Sequence, residues 1–141
     1  MAILGSTGSI GRQTLDVIRQ HPDELKAVAL TAMTSGDLLK QQAEEFGVKN
    51  VALMSEEAAR QHGISGGMSA VVDCATLQEA DVAVISVAGV IGLEPTLAAI
   101  EAGKEIALAS KEVLVSAGEV VMPRVKAKGL TLSPIDSEHS A

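Results

Sequence analysis

Short apolar runs alternate with stretches of helical periodicity along the whole chain. Six runs, each bounded by Gly, Ser, Asp or Pro, predict strands at 2–4, 27–30, 51–53, 82–85, 106–108 and 130–132. Strands that alternate with helices in this way predict an open, doubly wound parallel sheet.

The stretches between these runs predict the helices. The first helix follows the first strand and ends before Pro22. Further helices are predicted over 38–46 with Gly47 as C-terminal cap, from an N-cap at Ser55 to Gly63, and over 93–102 closed by Gly103. A short helix is expected over 70–77. Because Pro breaks a helix interior, we expect Pro123 in the first turn of a last helix that runs to about Lys128.

Composition supports the same fold class. With 141 residues, of which 47% are apolar, the chain is long enough for one well-buried domain. Phe46 is its only aromatic residue, so the core must consist of Val, Leu, Ile and Ala. Such a core suits a parallel sheet covered by helices better than an antiparallel sandwich. We therefore predict an α/β fold, a Rossmann-like doubly wound parallel sheet with helices on both faces.

Charge and cysteine content exclude several classes of protein. The formal net charge of −7 argues against a nucleic-acid-binding protein, whose domain is usually basic. The apolar runs are far shorter than the ~18 residues that span a bilayer, so no transmembrane helix is expected. Cys74 is the only cysteine, which favours a reducing cytoplasm. The first residues lack the basic and apolar regions of a signal peptide, so none is expected.

A glycine-rich loop lies directly after the first strand and opens the first helix. Gly5, Gly8 and Gly11 lack β-carbons, so the backbone can approach a pyrophosphate closely, and N–H groups at the helix N-terminus can receive its charge. Thr7 and Ser9 add hydroxyl donors. The loop predicts dinucleotide binding, and the alternative is a tight strand–helix turn without a ligand.

The segment after the second strand bears on the choice of dinucleotide. An NAD-binding protein carries Asp or Glu here for the ribose diol, whereas residues 31–35 contain no acid. A carboxylate would repel a 2′-phosphate, so its lack favours NADP. The preference is modest because no Arg or Lys is present either, and Thr34 and Ser35 offer hydroxyl groups without charge.

Two acidic residues follow the last predicted strand. In an extended segment, Asp136 and Glu138 point the same way with α-carbons about 6.5 Å apart, so both could bind one Mg²⁺ or Mn²⁺. A third ligand would come from elsewhere, and the alternative is a solvated acidic turn. Lys111 follows the fifth predicted strand and could hold a substrate phosphate or carboxylate. Alternatively, Lys111 and Glu112 are ordinary residues of a first helical turn.

Four segments taken together resemble one family. Residues 5–11, 95–104, 109–112 and 136–141 occur in the order and at the spacing of the 1-deoxy-D-xylulose 5-phosphate reductoisomerase family. The resemblance covers essentially the whole chain. It implies an NADPH-dependent and Mg²⁺- or Mn²⁺-dependent enzyme of the non-mevalonate isoprenoid pathway, which rearranges a sugar phosphate and reduces the resulting aldehyde to 2-C-methyl-D-erythritol 4-phosphate. It further implies a homodimeric full-length protein in a bacterial cytoplasm or in a plastid.

The resemblance also implies roles for individual residues. The cofactor-binding residues would be Thr7, Gly8, Ser9, Ile10, Met33, Thr34, Ser35, Ser110 and Glu112. The substrate would contact Lys111, Ser137 and Glu138, of which Lys111 and Glu138 would be catalytic, and the metal would bind Asp136 and Glu138.

The chain departs from the family pattern at three places. Met33, Thr34 and Ser35 stand where the family usually has Gly, a basic residue and Asn, so we expect NADPH to lose most of its advantage over NADH. Ser110 replaces the usual Asn. The sequence stops at Ala141, whereas the family continues into a catalytic domain with a third acidic ligand, a lid and a helical C-terminal domain. We therefore expect an N-terminal cofactor-binding portion with little or no turnover alone.

Two other functions remain open from the residues. The chain could belong to another NAD(P)-dependent dehydrogenase, of the aspartate-semialdehyde or homoserine type, that shares only the glycine loop. It could also be a dinucleotide-binding module without enzymatic activity.

Overall fold

The computed structural model describes the backbone of residues 1–87, 90–109 and 111–134, and their side chains except those of residues 90, 111–117 and 134. The strands are Ala2–Leu4 (β1), Ala29–Ala32 (β2), Asn50–Leu53 (β3), Ser65–Gly66 (β4), Val82–Ile85 (β5), Glu105–Leu108 (β6) and Leu132–Pro134 (β7). The helices are Ser9–Gln20 (α1), Gly36–Phe46 (α2), Glu56–His62 (α3), Met68–Ala75 (α4), Leu93–Glu101 (α5) and Lys111–Ala127 (α6), and a 3-10 turn at Val90–Gly92 precedes α5.

The strands form one parallel sheet in the order β4-β3-β2-β1-β5-β6-β7. The chain builds one half outward from β1 and then returns, through α4, to place β5 on the other side of β1. The direction of winding therefore reverses between β1 and β5, which is the topological switch point of a doubly wound fold. This confirms the predicted parallel sheet.

Helices cover both faces of the sheet. Side chains alternate along β1, so Ile3 packs with α1, α2 and α3, whereas Ala2 and Leu4 pack with α4, α5 and α6. Both layers are aliphatic, and Phe46 is only partly buried at the margin of the first layer. The predicted placement of helices on both faces is confirmed.

Two strands begin later than the hydrophobic pattern predicts, and one was missed. β2 begins at Ala29 rather than residue 27, and β7 at Leu132 rather than residue 130. The apolar residues just before these strands pack against the core without being part of the strand. β4 consists of Ser65 and Gly66, which have no apolar signal and are held by pairing with the end of β3.

Helix ends follow the predicted chemistry, with one exception. The Ser55 hydroxyl accepts the Ala58 N–H at 3.2 Å, and Gly47 ends α2 in the left-handed conformation. The expectation that Pro123 begins a helix is wrong, because Pro123 lies inside α6. Val121 and Val125, on either side of it, are buried in the core, so tertiary packing outweighs the local cost of the proline.

Within the described part of the chain, no helix has the length and apolarity needed to cross a membrane.

Candidate functional site

The glycine loop between β1 and α1 is fixed to the sheet by its backbone. Gly5 has a positive φ of 91°, and a Cβ there would lie 2.8 Å from the Ser86 hydroxyl and 2.9 Å from the Ser86 carbonyl oxygen. The N–H groups of Gly5 and Ser6 both donate to the Thr31 carbonyl at 2.9 Å. The first glycine is therefore required by the sharp turn and by the close approach of β5.

Gly11 allows α1 to pack directly on the loop. A Cβ at this position would lie 2.2 Å from the Gly5 carbonyl oxygen and 2.5 Å from the Ser6 α-carbon. Both of these are backbone atoms, which cannot rotate away as a side chain can. The third glycine is therefore also a requirement of the fold.

Gly8 has no such structural reason. Its φ of −81° and ψ of 177° are open to any residue, and a Cβ would meet only the Gly5 carbonyl oxygen at an ordinary 3.5 Å. It is exposed, and as N-cap of α1 it provides no side chain to the free N–H groups of the first turn. The missing side chain leaves space at a helix N-terminus, where an anion is stabilised.

A buried pair of polar side chains holds the loop against α2. The Ser6 hydroxyl donates to Gln42 Oε1 at 2.8 Å, and Gln42 Nε2 donates to the Ser6 carbonyl at 3.0 Å. Both residues are buried. Because each satisfies the other, the pair fixes the position of the loop relative to the helix that follows β2.

A cleft of about 220 Å³ opens at the carboxyl edge of the sheet, above the switch point. It is lined by Gly5, Thr7, Gly8, Thr31, Ala32, Met33, Ser35, Met54, Val71, Ser86 and Val87. None of these described residues is charged. The lining is thus neutral and partly apolar, with hydroxyl groups from the loop and from the ends of β2 and β5.

The cleft brings together most of the cofactor residues predicted from the first half of the chain. Thr7, Gly8, Met33 and Ser35 line it, and Thr34 is exposed in the same segment after β2. Ser9 and Ile10 form the first turn of α1.

Sequence reasoning missed Ser86 and Met54. Met54 and Ser86 each come directly after a predicted strand, and a position at the end of a strand could have marked them as candidates. Which strands lie beside β1 and β2 was not readable from the sequence, and without that order these two residues could not be assigned to the cleft.

The remaining predicted site residues come after β6 in the sequence. Lys111 and Glu112 lie in the first turn of α6, which is separated from the end of β6 by two residues, and their predicted roles stay predictions. Ser110, Asp136, Ser137 and Glu138 lie outside the described residues. The strand order places the ends of β2, β1, β5, β6 and β7 in a row with about 4.8 Å between neighbours.

No metal site is formed by the described part of the chain, where no three His, Cys, Asp or Glu side chains cluster. The predicted metal ligands Asp136 and Glu138 lie outside the described residues.

The fold and the loop define the class of protein: a Rossmann-type domain with a cleft at its switch point. The family model for 1-deoxy-D-xylulose 5-phosphate reductoisomerase matches residues 1–118. The chain belongs to this family.

Curated relatives match over the whole chain. The reductoisomerase of Geotalea uraniireducens is 51% identical over 150 aligned positions that cover 100% of this chain and 39% of the relative. That of Thermoanaerobacter pseudethanolicus is 49% identical, covering 99% of this chain and 38% of the relative. The chain therefore spans about two fifths of the length of these relatives.

Solved structures show the same match. The reductoisomerase of Zymomonas mobilis in complex with NADPH is 37% identical with a TM-score of 0.90, over 97% of this chain and 38% of that one. A structure of DOX-P reductoisomerase with NADPH, fosmidomycin and magnesium is 40% identical, also with a TM-score of 0.90, over 97% of this chain and 36% of that one. A homoserine dehydrogenase from Thiobacillus denitrificans, at 22% identity and a TM-score of 0.58, shares the fold alone.

Proposed function

We propose that this chain is the NADPH-binding portion of an enzyme that converts 1-deoxy-D-xylulose 5-phosphate to 2-C-methyl-D-erythritol 4-phosphate. The observation that supports this most directly is Gly8. It is the one glycine of the loop that the fold does not require, and it faces an uncharged cleft at the N-terminus of α1. Family membership supports the choice of reaction.

The residues of the cleft fit a dinucleotide. The pyrophosphate would lie against Thr7, Gly8 and the first turn of α1 at Ser9 and Ile10, where N–H groups and the helix dipole stabilise its charge. The adenosine would lie toward the segment 33–35, beside Met33, Thr34 and Ser35.

The nicotinamide would lie on the other side of β1, toward β5 and β6. β6 lies two strands from β1, about 10 Å away along the sheet, and Ser110 and Glu112 come after β6 in the sequence. This separation matches a ligand that extends across the switch point from one half of the fold to the other. When bound, NADPH supplies the hydride for the reduction.

The substrate and the metal would lie beyond the nicotinamide, at the ends of β6 and β7. Lys111 would hold an anionic group of the sugar phosphate as a point charge. Asp136 and Glu138 offer the carboxylate oxygens that Mg²⁺ or Mn²⁺ prefers, and Ser137 and Glu138 would contact the substrate. Two carboxylates form only part of such a site, so the remaining ligands would come from elsewhere, including water and substrate oxygens.

The other dehydrogenase families have less support. A chain that shared only the glycine loop with the reductoisomerases would not match them at 37–51% identity over nearly its whole length. We further propose a homodimer in a bacterial cytoplasm for the whole protein, by its bacterial relatives; a plastid is the alternative location.

NADPH binding is tested by titration of the 141-residue chain, followed by the fluorescence of the nucleotide. The chain has no Trp and no Tyr, so the signal comes from the cofactor alone. Saturable binding of NADPH that ATP does not match is the expected result. A folded chain that binds NADPH no better than ATP would refute the proposal.

The metal assignment is tested with Mn²⁺ in the presence of NADPH, by the relaxation of water protons. Asp136→Asn should weaken the bound-Mn²⁺ signal. Asp81→Asn is a matched control, because Glu79 and Asp81 have the same spacing but lie at the opposite edge of the sheet, before β5. Equal effects of the two substitutions would contradict the proposed ligands.

A further inference from the structure

Arg12 carries a positive charge beside the glycine loop. It belongs to α1, not to the segment after β2. Arg12 is the fourth residue of α1 and is exposed. Gly11, Leu15 and Ile18 are the buried residues of this helix, and Arg12 lies on the adjoining row. That row lines a groove of about 470 Å³ between α1 and α2. The groove is also lined by Leu38, three residues after the segment 33–35, so Arg12 lies on the side of α1 that faces α2.

The two arginines of this groove differ in their partners. Arg19 Nε lies 2.5 Å from Glu45 Oε2, and the guanidinium also pairs with Asp16. The hydrogen bond with Glu45 raises the pKa of Arg19 and lowers that of the Glu45 carboxyl. Arg12 makes no ion pair with any described residue, and its Nε donates only a long bond of 3.4 Å to the Gly8 carbonyl. Its charge is therefore not neutralised by the protein.

Local helix energetics do not explain an arginine at this position. A cation near a helix N-terminus is opposed by the helix dipole, and the first turn of α1 has no acidic residue to offset it. A residue that violates a local rule without a compensating contact is often retained for function.

The segment after β2 supplies no charge of its own to a nucleotide. In a Rossmann-type fold the ribose of the adenosine lies at the end of this strand, where a basic side chain accommodates a 2′-phosphate. Met33, Thr34 and Ser35 are uncharged. The planar guanidinium of arginine offers paired N–H donors that match a phosphate.

We propose that Arg12 pairs with the 2′-phosphate of NADPH and supplies a preference for NADPH over NADH that the segment after β2 cannot supply. This rests on the proposed binding of NADPH in the cleft. The long bond to the Gly8 carbonyl is given up at little cost when the phosphate is present. Arg12 is thus a specificity-determining residue that acts on cofactor choice rather than on the chemical step.

The test compares dissociation constants for NADPH and NADH, measured by nucleotide fluorescence on the 141-residue chain. Arg12→Gln should raise the dissociation constant for NADPH by about tenfold, the usual effect of losing a charge-assisted pair. The dissociation constant for NADH should rise by less than twofold. Arg12→Lys should retain part of the preference, because it keeps the charge without the planar fork. Arg19→Gln is the matched control: it removes the same charge from the same groove and should leave the ratio unchanged.

The possible outcomes separate this inference from the proposed function. If Arg12→Gln weakens both nucleotides equally, Arg12 contacts the pyrophosphate and the assignment to the 2′-phosphate is overturned. A change of less than threefold in the NADPH-to-NADH ratio also overturns it. If the unaltered, folded chain binds neither nucleotide, the proposed function itself fails.

Discussion

Replacing Gly8 by Ala separates the needs of the fold from those of the ligand. The new Cβ would lie 3.5 Å from the Gly5 carbonyl oxygen, an ordinary contact, and the backbone angles suit alanine. Alanine is a poorer N-cap than glycine but also lowers the entropy of the unfolded chain, and these effects of about 0.5–1 kcal/mol oppose each other. We expect the free energy of unfolding to change by less than about 1 kcal/mol.

Cofactor binding should respond much more strongly to the same methyl group. It would occupy the space in which the pyrophosphate approaches the N–H groups of α1. Losing one hydrogen bond to a charged group costs about 1.5–3 kcal/mol, which corresponds to a rise of roughly tenfold to one hundredfold in the dissociation constant. Far-ultraviolet circular dichroism during urea unfolding gives the stability, and nucleotide fluorescence gives the affinity.

Gly11→Ala is the control, because it places a Cβ 2.2 Å from a backbone oxygen. Alanine gains about 1 kcal/mol of helix propensity there, but an overlap with rigid backbone costs more, so we expect a net loss of about 2 kcal/mol of stability. The reasoning is refuted if Gly8→Ala folds normally and binds NADPH within twofold of the unaltered chain. It is also refuted if both substitutions destabilise the fold equally.

Four further predictions concern Pro123, Cys74 and the activity of the chain as a whole. Pro123→Ala should raise the free energy of unfolding by about 1–2 kcal/mol in urea titrations, because it restores a helical N–H inside α6. A loss of stability would mean that the helix does not continue through this residue. Burial raises the pKa of the Cys74 thiol to about 11, so an aromatic disulfide reagent should label it slowly at pH 8 unless the chain is unfolded. Because the folded state holds the thiol proton of Cys74 more tightly than the unfolded state, the free energy of unfolding should fall as the pH rises from about 9 to 11. Cys74→Ala should reduce that fall by about 2 kcal/mol, which urea titrations across this pH range would measure. The 141 residues alone should not oxidise NADPH with substrate and Mn²⁺, and steady-state turnover at rates typical of a complete enzyme would contradict this.

The parts of the fold that depend on local signals could be predicted from the sequence. β1 and β5 match their apolar runs residue for residue, because each is buried on both faces. Gly47 and Ser55 mark helix ends through conformations and hydrogen bonds that involve only neighbouring residues. The glycine loop was identified because its three glycines lie within seven consecutive residues, although its position is also fixed by Thr31, Gln42 and Ser86.

The features that were missed depend on contacts between distant segments. β4 exists because β3 offers it a partner, and no pattern in Ser65 and Gly66 indicates a strand. The hydrogen bonds between Ser6 and Gln42 join residues 36 positions apart, so nothing near either residue signals them. Pro123 shows the same effect in reverse, since a strong local signal is overridden by the burial of its neighbours.

The charge of the chain raises a physical question about how it would hold an anionic nucleotide. With a formal charge of −7, the protein as a whole repels such a ligand, and no described residue of the cleft is a cation. Ions screen that repulsion within about 10 Å at ordinary salt, so it slows the approach more than it weakens the bound state. The attraction must then come from short-range dipoles, namely the N–H groups that Gly8 leaves uncovered at the start of α1. In the proposed complex those donors would bind the pyrophosphate of NADPH and of NADH alike, so they would not distinguish the two. A charge beside the cleft would select between them more strongly than the uncharged hydroxyl groups of Thr34 and Ser35, and this is the role we propose for Arg12, which lies beside Gly8.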